Sequence, residues 1–308
     1  RPNHANGPGL TMLVDASSLI YRAFFSTPET VTSPKGLAVN AAHGFINMMS
    51  RLVADHDPEW LVCASDADWR PEWRVELIES YKLHRTFGER NDQAEHAEQQ
   101  LEHQVPIIEE LLELSRISVI GVPGYEAEDV IGALVPNAPG RVDIVSGDRD
   151  LFQLVKDPEV RVLYPKRGVS DLVVVDEAEI ERRYGIPGRA YGDYALLRGD
   201  PSDGLPGVRG IGEKTASALI ARHGSLEAVI EAAMTKPLGA LGKVAASLDY
   251  IDKAAQVVLI TGDVSVGDPD MTRPRGGFAK DLVEKADSYG LAGPVNRLIA
   301  ALTSGERR

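Results

Sequence analysis

Three short apolar runs, each followed closely by an aspartate, constrain this chain more than any other feature. Residues 11–14 (TMLV) lead straight into Asp15, residues 60–64 (WLVCA) stop just before Asp66, and residues 142–145 (VDIV) end near Asp148. Runs of this length and composition read as buried strands. Helical patterns lie between them. Phe45, Met48, Met49 and Leu52 fall at i, i+3, i+4 and i+7 within residues 39–56, and residues 126–134 also read as a helix. Residues 117–122 (ISVIGV) supply a further strand, residues 151–155 a short helix, and residues 160–164 and 172–175 two more β-rich stretches. Such alternation predicts an α/β fold with a mostly parallel sheet. From about residue 186 the character changes: Pro and Gly cluster at 199–212, and helical patterns then dominate. A chain of 308 residues, at a prior of roughly 150 per domain, fits this division into two.

Composition narrows the class. A hydrophobic fraction of 43% fills a core. The single cysteine, Cys63, makes no internal disulfide, which suits a reducing compartment and predicts a cytoplasmic protein. No apolar run approaches the roughly 18 residues of a membrane span. Residues 1–9 are polar, lack the apolar segment of a signal peptide, and are expected to be a disordered lead-in. A net charge of −13 argues, at first, against a nucleic-acid partner.

The acids repay closer reading. Open α/β sheets bind ligands at the carboxyl ends of their strands, so Asp15, Asp66 and Asp148 should converge there. Asp150 follows in a turn, and Glu126, Glu128 and Asp129 cluster at a helix start. Glu126 and Asp129 share a face of a regular helix, whereas Glu128 lies about 200° from Glu126 and fits only if the turn is irregular. Asp200 and Asp203 sit in the loop GDPSDGLPG. One such acid alone would be an ordinary cap or turn residue. Many at one sheet edge repel one another and call for cations. Oxygen ligands select hard ions such as Mg²⁺ or Mn²⁺, and two ions roughly 3.5–4 Å apart assist phosphodiester hydrolysis. The seven histidines show no zinc-binding spacing; His96 and His103, on a charged helix, read as solvated.

Residues 207–215 (GVRGIGEKT) nearly match a phosphate-binding loop, but Glu213 stands where the lysine belongs and no strand precedes it. They read instead as a hairpin between helices. Gly207, Gly210 and Gly212 let backbone N–H groups approach phosphates, and Thr215 and Ala216 open the next helix.

Five segments in order carry a resemblance: VDASSLIYRAFF (14–25), SDADWRPEWRVELIESYKLHR (65–85), GYEAEDVIGAL (124–134), SGDRDLFQLV (146–155) and GDPSDGLPGVRGIGEKTA (199–216). Together they resemble the bacterial 5′-nuclease family, the 5′→3′ exonuclease domain of DNA polymerase I and its flap-endonuclease relatives, in stand-alone form. The resemblance implies a PIN-like catalytic domain over residues 10–186 with a helical arch at about 70–104. A helix-hairpin-helix-type DNA-binding domain and C-terminal helices would follow over 187–308, with Leu282, Val283 and Ala286 packing on the core. It implies metal-dependent hydrolysis of DNA at 5′ flaps and from 5′ ends, in replication and repair, on DNA with a 5′ flap, 5′ overhang or nick. Metal-site acids would be Asp15, Asp66, Glu126, Glu128, Asp129, Asp148, Asp150, Asp200 and Asp203. Asp15, Asp66, Glu128 and Asp148 would mainly serve the tighter site, with Asp129 and Asp150 nearby, and Asp200 and Asp203 a more distant one.

In the arch, Tyr81 would stack on a base. Lys82 and Arg85, supported by Arg74, would offset charge on the scissile phosphate, with Trp69 and Trp73 as packing anchors. The hairpin residues Gly207, Gly210, Gly212, Lys214 and Thr215 would grip the DNA backbone, with K⁺ as a bridging ion. Two departures stand out. Glu128 replaces a usual aspartate, adding one methylene, and Gly204 replaces a usual asparagine. The alternative class is a DNA-structure-binding module without catalysis, but every acid position is filled. Setting nine cluster acids aside leaves 37 against 33 Lys and Arg, so the acidity ceases to exclude DNA.

Overall fold

The computed structural model describes residues 9–83 and 92–304. Six strands form one sheet: β1 (Leu10–Asp15), β2 (Trp60–Ala64), β3 (Ser118–Ile120), β4 (Arg141–Val145), β5 (Val160–Pro165) and β6 (Leu172–Val175), in the order β3-β2-β1-β4-β5-β6. All neighbours pair in parallel except β6, which lies antiparallel on the β5 edge. Helices cover both faces, which is why the central strands are apolar throughout. In β1, Leu13 enters one core while Met12 and Val14 enter the other.

One face carries α1 (Ala16–Ser26), α2 (Asn40–His56) and α4 (Asp92–Leu114). Between α2 and α4 lies the short α3 (Glu72–Leu77). Phe45, Met48, Met49 and Leu52 of α2 are all buried, as their spacing predicts. The other face carries α5 (Ala127–Leu134), and its core runs on into the helical region. That region begins after α6 (Glu177–Tyr184) and comprises α7 (Tyr191–Arg198), α8 (Glu213–His223), α9 (Leu226–Thr235), α10 (Ala240–Ala245) and α11 (Leu248–Val258). The helix expected at 151–155 is a 3₁₀ turn over Asp150–Leu154. Five residues are too few to offset α-helix nucleation.

The chain then returns. Leu61 N–H donates to Met271 O at 2.8 Å and Arg273 N–H to Glu59 O at 3.1 Å, laying the segment after α11 beside the start of β2. Helices α12 (Leu282–Ser288) and α13 (Ala292–Thr303) pack in the core shared with α1, α2 and α4. Leu282 and Ala286 are buried as expected, whereas Val283 faces solvent. Cys63 is buried and free, and no helix among the described residues is long and apolar enough to cross a membrane.

Candidate metal centre

The strand order reverses at β1, with β2 on one side and β4 on the other. A crevice opens at the carboxyl ends of strands at such a point. Here it is a cleft of about 1660 Å³ whose lining includes Asp15, Asp66, Glu126, Glu128, Asp148, Asp200 and Asp203. The separate sequence segments thus meet in one place.

Asp15 ends β1 and also caps α1, accepting from Ser18 N–H at 2.9 Å, so strand passes to helix without a loop. Its other oxygen accepts from the Ser146 hydroxyl at 2.5 Å. That same Ser146 oxygen accepts from Asp148 N–H at 2.9 Å, and Asp148 Oδ1 accepts from Asp150 N–H at 2.9 Å. Asp66 joins β2 to α5: its Oδ1 accepts from Ala127 N–H at 2.8 Å, and its own N–H donates to Ser17 Oγ. Sequence reasoning passed over Ser17 and Ser146. The available signal was a small hydroxyl residue beside each strand-end acid.

Glu128, Asp148 and Asp150 each offer an oxygen within 4.8 Å of the others. Burial, followed by the charge of Asp66, pushes the Asp15 carboxyl up to about 7. Burial, then Asp203, pushes Asp148 up to about 6. Burial also raises Asp66, Glu128 and Asp150. Acids this close and this buried ionise together only with compensating positive charge, and an all-oxygen set of this kind fits a hard divalent cation.

The turn at Glu126 is irregular in the way Glu128 requires. Glu126 is the N-cap, with extended φ −95° and ψ 166°, so the angular mismatch on a regular helix does not apply. Asp129 closes a capping box, accepting from Glu126 N–H at 3.1 Å. Its other oxygen takes Arg74 Nη2 at 2.8 Å. Both Asp129 oxygens therefore have protein partners. Asp200 caps the 3₁₀ turn Pro201–Asp203 and pairs with Arg198 at 3.1 Å.

Three expectations for the arch base need correction. Tyr81 is not a free stacking surface: its ring is buried and its hydroxyl donates to Glu126 Oε1 at 2.8 Å. Arg74 is enclosed, 1% exposed, and faces Glu126, Glu128 and Asp129 at 3.0, 3.1 and 2.8 Å, so it neutralises acids rather than meeting a phosphate. Trp73 is anchored through its indole N–H to Gly124 O, but Trp69 is 40% exposed on the cleft wall. Lys82 also lines the cleft, with its ammonium on Glu126 Oε2. Arg85 lies outside the described residues, as do residues 1–8 of the lead-in. Tyr21 and Phe25, exposed at 52% and 53%, form an aromatic pair on the same cleft that the sequence reading did not single out.

In the hairpin, Gly207 and Gly210 have φ of +70° and +78°, a region that glycine enters without strain. Helix α8 begins at Glu213, earlier than expected, because Thr215 and Ala216 N–H both bond back to Gly212 O. Lys214 is exposed. Gly204 also has positive φ (+70°), and a Cβ there would meet Ser80 O at 2.0 Å. The left-handed turn explains how Gly can stand where Asn is usual, since Asn tolerates the same region.

Comparison with known proteins agrees. A family model described as "5'-3' exonuclease, N-terminal resolvase-like domain" matches residues 10–185, and one described as "5'-3' exonuclease, C-terminal SAM fold" matches residues 186–275. A 5'-3' exonuclease of Streptomyces coelicolor is 49% identical over 302 residues, covering 95% of this chain and all of that one. One from Mycobacterium tuberculosis is 42% identical over 311 residues, covering 94% and 97%. Among solved structures, the D15 flap endonuclease of bacteriophage T5, in a pseudo-enzyme–product complex with DNA and metal ions, superposes with a TM-score of 0.67 at 16% identity, covering 95% and 99%. The fold and acid-lined cleft are those of a 5′ nuclease. The chain belongs to the bacterial 5'-3' exonuclease family, which is related to DNA polymerase I.

Proposed function

We propose that this chain is a structure-specific 5′ nuclease. It hydrolyses DNA phosphodiesters with Mg²⁺ or Mn²⁺, endonucleolytically at 5′ flaps and exonucleolytically from 5′ ends, on DNA that carries a 5′ flap, a 5′ overhang or a nick. Such work belongs to replication and repair, and DNA as substrate fits the cytoplasmic setting that the sequence suggests. The observation that carries the reading is the Glu128–Asp148–Asp150 oxygen cluster at the sheet's switch point, in a member of the 5'-3' exonuclease family.

When bound, divalent ions supply charge neutralisation at the phosphate and acidify a water molecule. The chain's own residues do the rest. Glu128, Asp148 and Asp150 hold the tighter site; Asp15 and Asp66, lining the same cleft, orient its surroundings. Asp200 and Asp203 would serve a second, more distant ion. Lys82 offers positive charge at the cleft wall, and Arg85 would add a second cation. Gly207, Gly210 and Gly212 present backbone N–H groups, and Lys214 and Thr215 add a cation and a hydroxyl, to grip duplex phosphates without reading sequence. K⁺ at the hairpin would strengthen that grip. In this reading residues 10–186 form a PIN-like catalytic unit with the arch at about 70–104, and the helices from 187 onward carry a helix-hairpin-helix-type DNA clamp and the C-terminal helices.

The test is Asp148→Asn on a labelled 5′-flap substrate. Cleavage should fall at least ~100-fold while flap affinity is retained, and EDTA should abolish wild-type cleavage. Near-normal Mg²⁺-dependent cleavage by the variant would overturn the site assignment.

A further inference from the structure

Glu126 is crowded with donors. Its Oε1 accepts the Tyr81 hydroxyl at 2.8 Å and lies 3.0 Å from Arg74 Nη1, and its Oε2 pairs with Lys82 Nζ. The side chain also accepts the Asp129 backbone N–H as the cap of α5. A carboxylate offers about four lone-pair sites, and two hydrogen bonds, an ion pair and the capping contact crowd them. Among the described residues, the group of carboxylates whose oxygens converge, Glu128, Asp148 and Asp150, does not include Glu126.

Lys82 shows what this arrangement achieves. Its backbone is left-handed, with φ +48°, and its N–H donates to Asp203 O at 2.8 Å. Two residues earlier, Ser80 Oγ donates to Gly204 O at 2.7 Å. The strand of chain at the arch base is therefore stitched to the Asp200–Asp203 loop through its backbone and to α5 through Glu126. Lys82 is only 6% exposed, and an ammonium so enclosed is retained only when paired. Glu126 is its carboxylate partner at 4% side-chain exposure, and both residues line the cleft.

We propose that Glu126 is a positioning residue and not a metal ligand. It fixes Lys82, and through Arg74 and Tyr81 the base of the arch, beside the metal cluster. This inference rests on the metal-nuclease reading above and divides the acids of the α5 turn into two jobs: Glu128, although 3.1 Å from Arg74, also converges with Asp148 and Asp150 on the ion, whereas Glu126 turns only to the protein's own donors.

The experiment measures Mn²⁺ binding by electron paramagnetic resonance on the full chain, for wild type, E126Q and E128Q. Single-turnover flap cleavage at saturating Mn²⁺ is measured in parallel for E126Q, K82A and the double variant. Mn²⁺ affinity of E126Q should stay within about twofold of wild type, while E128Q loses at least ~10-fold. E126Q and K82A should each slow cleavage by ~10-fold or more, and the double variant should be no slower than K82A alone, because the two side chains act as one unit. An E126Q loss of Mn²⁺ affinity matching that of E128Q, or penalties that multiply in the double variant, would overturn the proposal. If E126Q does not fold, Y81F removes a Glu126 donor without touching an acid. It should slow cleavage with Mn²⁺ affinity unchanged; an unchanged rate overturns the anchor. Should wild type bind no Mn²⁺, or E128Q bind it as well as wild type, the failure lies with the metal-nuclease reading itself.

Discussion

Ser146 stands between two of the acids, donating to Asp15 Oδ2 and accepting from Asp148 N–H, and it is fully buried. Removing its hydroxyl leaves a buried carboxylate oxygen and a backbone donor without that partner. Ser146→Ala should cost roughly 1–3 kcal/mol of stability, read from the urea midpoint of the metal-free protein. An unchanged midpoint would show that the hydroxyl contributes nothing. The identities of the acids were legible in the sequence because turn and strand-end positions can be counted. Their partners were not. No spacing connects Ser146 to Asp15, 131 residues apart. Nor does any local pattern reveal that Tyr81, which reads as a stacking ring, points inward to Glu126.

Helices α12 and α13 show the same limit at the scale of elements. The helical pattern of α12 predicts packing of Leu282, Val283 and Ala286 on the core, of which Val283 is exposed, and it does not say against which partner they pack. The two helices pack with α2 and α4, and Arg273 fastens the return segment by reaching Asp57 at 2.7 Å and the Ser304 carbonyl at 3.1 Å. Tyr289 and Lys285 also reach Glu110 of α4, at 2.7 and 2.8 Å. Five large aliphatic side chains, Leu282, Leu291, Val295, Leu298 and Leu302, are fully enclosed there. At roughly 1.5–3 kcal/mol each, their burial is worth about 8–15 kcal/mol, comparable to the net stability of a whole domain. A chain ending at residue 275, where the second family model stops, should therefore lose cooperative thermal unfolding and aggregate. Calorimetry decides: a sharp transition near that of the full chain would mean that the fold is self-sufficient without α12 and α13.

For the whole molecule, burial of the acids couples stability to pH and metal. Folding raises Asp15 from 3.8 to about 7 and Asp148 from 3.8 to about 6. The folded state thus holds protons that the unfolded chain releases, and stability from these groups is lost as pH rises from about 4 through about 7. Metal-free protein should melt at a higher temperature at pH 5.5 than at pH 7.5. Saturating Mn²⁺ should raise the melting temperature more at pH 7.5, where the ligands give up their protons at least cost. Scanning fluorimetry at the two pH values tests this; a Mn²⁺ shift independent of pH would count against a metal held by these carboxylates. The net charge of −13 belongs to the same account, since a share of the acids is concentrated in one cleft rather than spread over the surface.

The sequence by itself determined the α/β alternation, the strand-end aspartates and their convergence on one sheet edge. Strand period, helix period and chain direction are local properties, and a parallel sheet sends every carboxyl end the same way. Only the tertiary structure decided which acids converge with one another and which turn to the protein's own donors. Glu126 and Asp129 meet Arg74, Tyr81 and Lys82, while Glu128, which also touches Arg74, meets Asp148 and Asp150. The Glu126 and Asp129 half of that division depends on contacts between segments more than 40 residues apart, where the outcome is set by burial and by competition among donors rather than by spacing.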